Sequence, residues 1–230
     1  MRILVTRPEE DTAEISQKLR AMGHEVIAAP LLRIQFFDGP EIALGGVQAI
    51  LATSANGVRG IARRTSRRDV PLFAVGPQTE AEARAAGFTH IKNAHGDGAA
   101  LARATAGWAK PEAGALLHAA GAEGSGWLAE ALAAKGLQVR REVLYRVEAA
   151  AQLPDAVVQA LGENSLQAAL FFSPRSAEIF ADRVSRAGLS TAGLLAVCIS
   201  AKTADALKGL PFSTIKVAAA PNQAALLACL

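Results

Sequence analysis

Apolar residues in this chain fall into short runs of four or five, separated by longer stretches where they recur at helical spacing. The runs at 3–6, 25–28, 49–52, 72–75, 115–118, 138–142, 168–172, 195–199 and 214–217 predict buried strands. A strand covered on both faces reads as a continuous apolar run rather than as an alternation. Between them, Ile15, Leu19 and Met22, and later Trp127, Leu128 and Leu132, predict amphipathic helices. Gly23 and Gly136 each follow a last helical turn, where a left-handed cap is expected. Strand and helix alternate throughout, so the pattern predicts an α/β fold with parallel sheets and helices on both faces.

The pattern also repeats. Ile3-Leu-Val-Thr-Arg-Pro8, followed by Leu19, Gly23, Val26, Leu31 and Arg33, recurs without a gap as Leu116-Leu-His-Ala-Ala-Gly121, followed by Leu132, Gly136, Val139, Leu144 and Arg146. A second pair matches Ala49-Ile-Leu-Ala-Thr-Ser54 with Ala168-Ala-Leu-Phe-Phe-Ser173. A third matches Val75-Gly-Pro-Gln-Thr79 with Ile199-Ser-Ala-Lys-Thr203. The period is far longer than the 20–50 residues of solenoids. It predicts two similar parallel-sheet α/β domains from an internal duplication, with a cleft between them where a ligand binds. Residues 33–46, with Asp38-Gly39-Pro40 and Gly45-Gly46, and residues 148–154 lack the regularity and are expected to be linkers. If the chain crosses at both, one domain holds 1–34 with 148–230 and the other 35–147. If it does not, the domains are contiguous, near 1–112 and 113–230. The repeat alone does not choose between these.

Composition narrows the function classes. Of 230 residues 51% are hydrophobic and 5% aromatic, which argues against an aromatic platform for single-stranded nucleic acid. A net charge of +3 and a pI near 9.1 suit a small acidic ligand and do not call for DNA or RNA. Cys198 lies in an apolar run and reads as a small buried hydrophobe. With Cys229 and four scattered histidines it forms no metal-ligand spacing. No leader pattern and no apolar run of membrane-spanning length is present, so a cytoplasmic protein is expected.

The candidate chemistry lies in loops that follow strands and open helices: Thr6-Arg7-Pro8, Thr53-Ser54-Ala55-Asn56-Gly57, Gly76-Pro77-Gln78-Thr79, Ser173-Pro174-Arg175-Ser176 and Ser200-Ala201-Lys202-Thr203. In open α/β sheets ligands bind outside the carboxyl ends of the strands. Free N–H groups at helix N-termini there suit carboxylates or phosphates. Candidate binding residues are therefore Arg7, Thr53, Ser54, Asn56, Gly76, Thr79, Ser173, Arg175, Ser176, Lys202 and Thr203. Helix capping is the competing account of the hydroxyls. Thr79 with Glu82 reads as a capping box and Ser173 before Pro174 as an N-cap, whereas Thr203 has Ala206 in place of a capping acid. Glu9, Glu10 and Asp11 answer to a helix dipole, leaving Arg7, Arg175 and Lys202 as the most ligand-like charges. Arg59, Arg63, Arg64, Arg67 and Arg68 read first as a solvated face and second as a nucleic-acid patch. Tyr145, the only tyrosine, ends a strand at the expected domain junction, and packing is its ordinary role. No Ser-His-Asp, paired-carboxylate or phosphate-binding Gly-rich signature is present.

Val5-Thr-Arg-Pro8 with Leu19, Gly23 and Pro30, then Thr53-Ser-Ala-Asn-Gly-Val58, Val75-Gly-Pro-Gln-Thr79 and Val143-Leu-Tyr-Arg146, together resemble uroporphyrinogen-III synthases. Ser173-Pro174, Thr203 and Pro221, Ala224 and Leu227 extend the resemblance over nearly the whole chain. It implies two α/β domains joined by a two-stranded linker, the first built from both chain ends. It also implies cofactor-free cyclisation of hydroxymethylbilane, a linear tetrapyrrole with four acetate and four propionate groups, with inversion of the last ring. A monomer is implied, with transient hand-over from hydroxymethylbilane synthase and no metal, nucleic acid or membrane partner. By position, Tyr145 matches a catalytic tyrosine that helps water depart, and Ser54, Thr79, Ser173 and Thr203 match cleft hydroxyls. Without an enzyme the bilane closes to isomer I. Sending about 99% of flux to isomer III needs that channel roughly 2.7 kcal/mol below the spontaneous one. Two loops depart from the pattern. Residues 119–124 lack a basic residue after their strand, and 198–203 carries Ser-Ala-Lys for Gly-Pro, with Lys202 as electrostatic compensation. A non-catalytic tetrapyrrole- or polyanion-binding protein of the same fold is the alternative; a DNA-associated regulator is the third reading.

Overall fold

Ile3, Leu4 and Val5 have no solvent exposure although successive side chains of a strand face opposite ways. Ile3 and Val5 join one apolar cluster, with Ala168, Leu170 and Val197, and Leu4 joins another, with Ala169, Phe171 and Cys198. The strand is therefore central in a sheet covered on both faces. The computed structural model describes residues 1–230, the side chain of Glu10 excepted. Contacts divide the chain into two units, residues 1–33 with 148–230 and residues 34–147.

The first unit opens with β1 (Arg2–Val5), α1 (Glu9–Ala21) and β2 (Glu25–Ala28). The chain leaves along β3 (Leu32–Phe36) and continues through β4 (Val47–Ala52), α2 (Ala55–Arg64), β5 (Leu72–Ala74), α3 (Pro77–Ala85), β6 (Ile91–Asn93), α4 (Gly98–Trp108), β7 (Ala115–Gly121) and α5 (Trp127–Ala133). It returns along β8 (Val139–Ala149). The first unit then closes with α6 (Asp155–Gly162), β9 (Ala168–Phe171), α7 (Pro174–Arg186), β10 (Leu195–Cys198), α8 (Ala201–Asp205), β11 (Thr214–Val217) and α9 (Gln223–Leu227).

The first sheet runs β11-β10-β9-β1-β2, with every pair parallel. The second runs β6-β5-β4-β7-β8, parallel in the same order, with β3 added beyond β8. Register matches as well as order. Ile3 pairs with Val26 and Ala168 in one sheet, as their sequence counterparts Leu116, Val139 and Ala49 pair in the other. Two apolar clusters lie on opposite sides of the second sheet, one with Ile50, Leu117 and Leu144, the other with Leu51, Phe73 and Leu116.

Three strands differ from the expectation. Residues 33–46 were to be irregular, but β3 lies there. Its Leu32 and Ile34 are buried while Arg33 and Gln35 are exposed, a period-2 alternation that a search for continuous apolar runs passes over. The N–H of Phe37 donates to the Leu144 carbonyl at 2.8 Å, and that of Ala150 to the Leu31 carbonyl at 2.9 Å. These partners run in opposite directions along the chain, so the second sheet is mixed. The strand β8 also reaches further than expected, taking in Glu148 and Ala149 from the other linker. The strand β6 has only three residues and no apolar run to announce it.

The caps follow local chemistry. Gly23 and Gly136 have φ of +82° and +77°, the left-handed conformation that ends α1 and α5. Glu9 and Asp11 lie in the first turn of α1, while the Glu10 side chain lies outside the described residues. Thr79 is not a capping residue: Gly76 caps α3 and Thr79 is buried one turn in. Likewise Ser200, not Thr203, caps α8. The arginine run is not simply a solvated face. Arg59 pairs with Glu82 at 2.8 Å, tying α2 to α3, and Arg63 lies 4.2 Å over the Phe36 ring. Arg64 donates to the Pro40 carbonyl, Arg67 pairs with Asp69, and Arg68 donates to the Ala62, Thr65 and Ala86 carbonyls.

Candidate functional site

Beyond the carboxyl end of β4 the chain turns into α2 through Thr53 and Ser54. Ser54 is extended (φ −159°, ψ 160°) and caps the helix, its Oγ accepting from the Gly57 N–H at 3.1 Å. The same oxygen lies 2.8 Å from the Tyr145 hydroxyl. Tyr145 comes from β8, beyond β7 in the sheet order. Its side chain crosses to α2 almost wholly buried, at 8% exposure, with its ring 6.2 Å from that of Phe36. A phenol is thus fixed at the end of a helix N-terminus, where the peptide dipoles favour negative charge.

Thr53 meets a second buried group. Its Oγ1 lies 3.5 Å from His118 Nε2, the outer limit of a hydrogen bond. His118 is buried on β7 and pairs in register with Arg141 of β8. Burial, and then the Arg141 guanidinium, push the imidazole down to about 4, so it is neutral at physiological pH. Arg141 in turn donates to the Gly121 carbonyl at 2.6 Å and the Gly124 carbonyl at 3.0 Å. The loop that follows β7 therefore receives from a neighbouring strand the positive charge that its own residues lack. Nothing local in the sequence marks His118 or Arg141; strand register brings them together.

The remaining candidates of the second unit line the same edge. Asn56 Oδ1 accepts from Arg59 Nη1 at 3.0 Å. Gly76 begins α3 with no side-chain cap among the described residues, so first-turn N–H groups there remain available. Adjacent β4 and β5 place this loop next to that of Ser54.

In the first unit, β1, β9 and β10 are neighbours, so the loops of Arg7, Ser173 and Lys202 also lie side by side. Arg7 is anchored: it pairs with Asp11 at 3.1 Å, reaches Gln223 at 3.4 Å and lies 4.8 Å over the Phe172 ring. Ser173 caps α7, accepting from the Ser176 N–H at 3.1 Å, and the Ser176 hydroxyl donates back to the Ser173 carbonyl. Ser200 caps α8 in the same way, accepting from the Thr203 N–H at 3.3 Å, with its Oγ 3.0 Å from Thr203 Oγ1. Ser176 and Thr203 are buried beneath these caps. Arg175 and Lys202 are on the first turns, where Lys202 is exposed and makes no ion pair among the described residues. A cavity of about 600 Å³ in the same unit is lined by Glu9, Arg33, Glu148 and Asp155; three carboxylates to one guanidinium do not suit a polyanion. No cluster of three metal-ligating side chains occurs among the described residues, and no helix there is long and apolar enough to cross a membrane.

The sequence model of uroporphyrinogen-III synthase HemD matches residues 13–228. The chain belongs to the uroporphyrinogen-III synthase family. Its fold is similar to that of uroporphyrinogen-III synthetase from Helicobacter pylori 26695, at 17% identity and a TM-score of 0.65, covering 100% of this chain and 98% of that one. A mutant uroporphyrinogen III synthase from the extremely thermophilic bacterium Thermus thermophilus matches at 16% identity and a TM-score of 0.47, covering 94% and 92%. The comparison with curated proteins finds no match. The family's enzyme is a cyclising lyase of haem biosynthesis, uroporphyrinogen-III synthase, and its substrate is hydroxymethylbilane.

Proposed function

We propose that Tyr145 is the proton donor of this synthase and that the hydroxyl-bearing loops at the carboxyl edge of each sheet hold the substrate's carboxylates. The observation that carries the assignment is the 2.8 Å contact between the Tyr145 hydroxyl and Ser54 Oγ at the N-terminus of α2. Ser54 Oγ already accepts from Gly57. If it donates its own proton to the phenol oxygen, the phenol proton is left for the substrate. That proton goes to the terminal hydroxyl of the bilane as its C–O bond breaks. Water leaves, and the nitrogen lone pair of the attached pyrrole, which keeps its N–H, fills the vacancy to give an azafulvenium cation. The electrophilic methylene bonds to the substituted carbon of the last ring, and the resulting spiro intermediate fragments and recloses with that ring inverted. The final loss of a ring proton returns it to Tyr145, so the enzyme ends unchanged.

Backbone N–H groups at Gly76 and the starts of α2 and α7, with Arg175 and Lys202, supply the carboxylate contacts. The capping roles of Ser173, Ser176 and Thr203 make these hydroxyls organisers of their loops as much as ligands. We propose further that the two units are the family's two domains, the first from both chain ends, related by duplication and joined by β3 and β8. Matching strand order and register in the two sheets support this. The same reading takes the chain as a cytoplasmic monomer that receives its substrate from hydroxymethylbilane synthase; light scattering that gave a dimer mass would remove the monomer.

The test generates hydroxymethylbilane in situ, oxidises the products and separates isomers I and III. Wild-type protein is expected to give predominantly isomer III, and Tyr145→Phe to lower kcat roughly a hundredfold, the range of a general acid, with the unfolding midpoint little changed. Unchanged turnover in Tyr145→Phe would take Tyr145 out of the mechanism; isomer I alone from folded wild-type protein would leave a binding protein.

A further inference from the structure

We infer that Gly121 is a positioning residue of this reaction: the missing side chain at the end of β7 is what lets the Tyr145 phenol lie on Ser54. The inference rests on the reading of Tyr145 as proton donor. Tyr145 must cross β7 to reach α2, because β7 separates β8 from β4 in the sheet. A Cβ at Gly121 would stand 2.9 Å from Tyr145 Cζ, 3.0 Å from Cε2 and 3.1 Å from the hydroxyl oxygen. All three contacts fall on the end of the ring that carries the chemistry.

The backbone delivers the ring to this spot by a break in register. Ala120 pairs with Val143, but Gly121 pairs with Tyr145, so Leu144 is passed over. Such a break re-aims the side chain beside it. The N–H of Ala122 donates to the Tyr145 carbonyl at 2.8 Å, and Arg141 holds the Gly121 carbonyl at 2.6 Å. Both strands are thus pinned at the break, and the ring is buried against Phe36. An added methyl group therefore displaces the phenol rather than the backbone, and the distance to Ser54 opens.

Tyr145 is the only tyrosine in the chain, so protein labelled with carbon-13 at the tyrosine ζ position gives a single resonance that reports the phenol's hydrogen bond. Gly121→Ala is expected to shift that resonance and to lower kcat at least tenfold with KM within twofold, in keeping with the cost of a misplaced catalytic group. In the Tyr145→Phe background the same substitution is expected to leave the residual kcat unchanged, because it acts only through the hydroxyl. Far-UV circular dichroism identifies any variant that fails to fold. For that case Gly121→Ser offers a second displacement of the ring, with the same shift and the same loss expected. A resonance and kcat unmoved by Gly121→Ala would overturn the inference while leaving Tyr145 as donor. Equal losses in the two backgrounds would also overturn it, since a general structural effect does not need the hydroxyl. A shifted resonance with kcat unchanged in both Gly121→Ala and Tyr145→Phe would instead remove the catalytic reading of Tyr145 and leave the positioning geometry in place.

Discussion

His118 enters the site with no local signature. It is one of four scattered histidines, and only the pairing of β7 with β8 sets it beside Arg141 and below Thr53. Gly121 is hidden in the same way, since its contact with Tyr145 depends on a register break that no spacing rule foretells. Ser54 and Tyr145, by contrast, were legible, one through the repeated strand–loop–helix unit and the other through the family resemblance. The buried imidazole has a measurable consequence. Its pKa falls from 6.5 to about 4 on folding, so between those values the unfolded chain binds more protons than the folded one. Stability is then complete above about pH 6.5 and is lost as pH falls toward 4, by about 3 kcal/mol at most. The carboxyls of Glu41, Glu80 and Asp97 are also held low, but they start from 4.5 or below, so their loss falls mostly below pH 5 and adds little between pH 7 and pH 5. Urea midpoints at pH 7 and pH 5 are expected to converge in His118→Leu relative to wild type. An undiminished difference would mean that His118 is not the group responsible.

At the scale of elements, the continuous apolar runs revealed the central strands because those strands are covered on both faces. Of the four edge strands, β2 and β11 were also found as apolar runs, but β3 and β6 escaped. β3 buries one face only, and β6 has three residues, none of them fully buried. Caps were read correctly where only glycine fits the geometry, and with mixed success where several residue types fit, since Ser173 caps α7 as expected. Gly23 and Gly136 belong to the first kind, and Thr79, displaced as a cap by Gly76, to the second. Two glycines make the first kind testable with opposite signs. Gly23 has φ +82° and nothing within 4 Å of a built Cβ, so Gly23→Ala costs backbone strain alone, about 1 kcal/mol. Gly162 also has open space, but it sits in the last turn of α6 without a positive φ. There Ala reduces the freedom of the unfolded chain, and Gly162→Ala is expected to add roughly 0.5 kcal/mol. Chemical denaturation of both variants that moved the midpoint in the same direction would defeat this account.

At the scale of the whole molecule, the repeat made two similar α/β units legible before any contact was known, yet it could not show which strands each unit uses. The answer lies in the sheet order. β1 stands between β9 and β2, so the first 33 residues supply the interior of a sheet whose other strands lie more than a hundred residues later. Ile3, Leu4 and Val5 are fully buried there, and without them both apolar clusters of the unit lose their middle. Residues 34–147 form an uninterrupted stretch with their own sheet and two clusters of their own. Fragments should therefore behave unequally. Residues 32–149, which keep β3 and β8 whole, are expected to fold alone, with helical circular dichroism and one cooperative urea transition. Residues 148–230 are expected to remain unfolded until a peptide of residues 1–33 is added, because the missing strand is central and its removal exposes apolar surface on both faces. The complemented fragment should then show a transition whose midpoint rises with peptide concentration, since the peptide binds only the folded form. Cooperative folding of 148–230 alone would refute the division, as would a 32–149 fragment that stays unfolded.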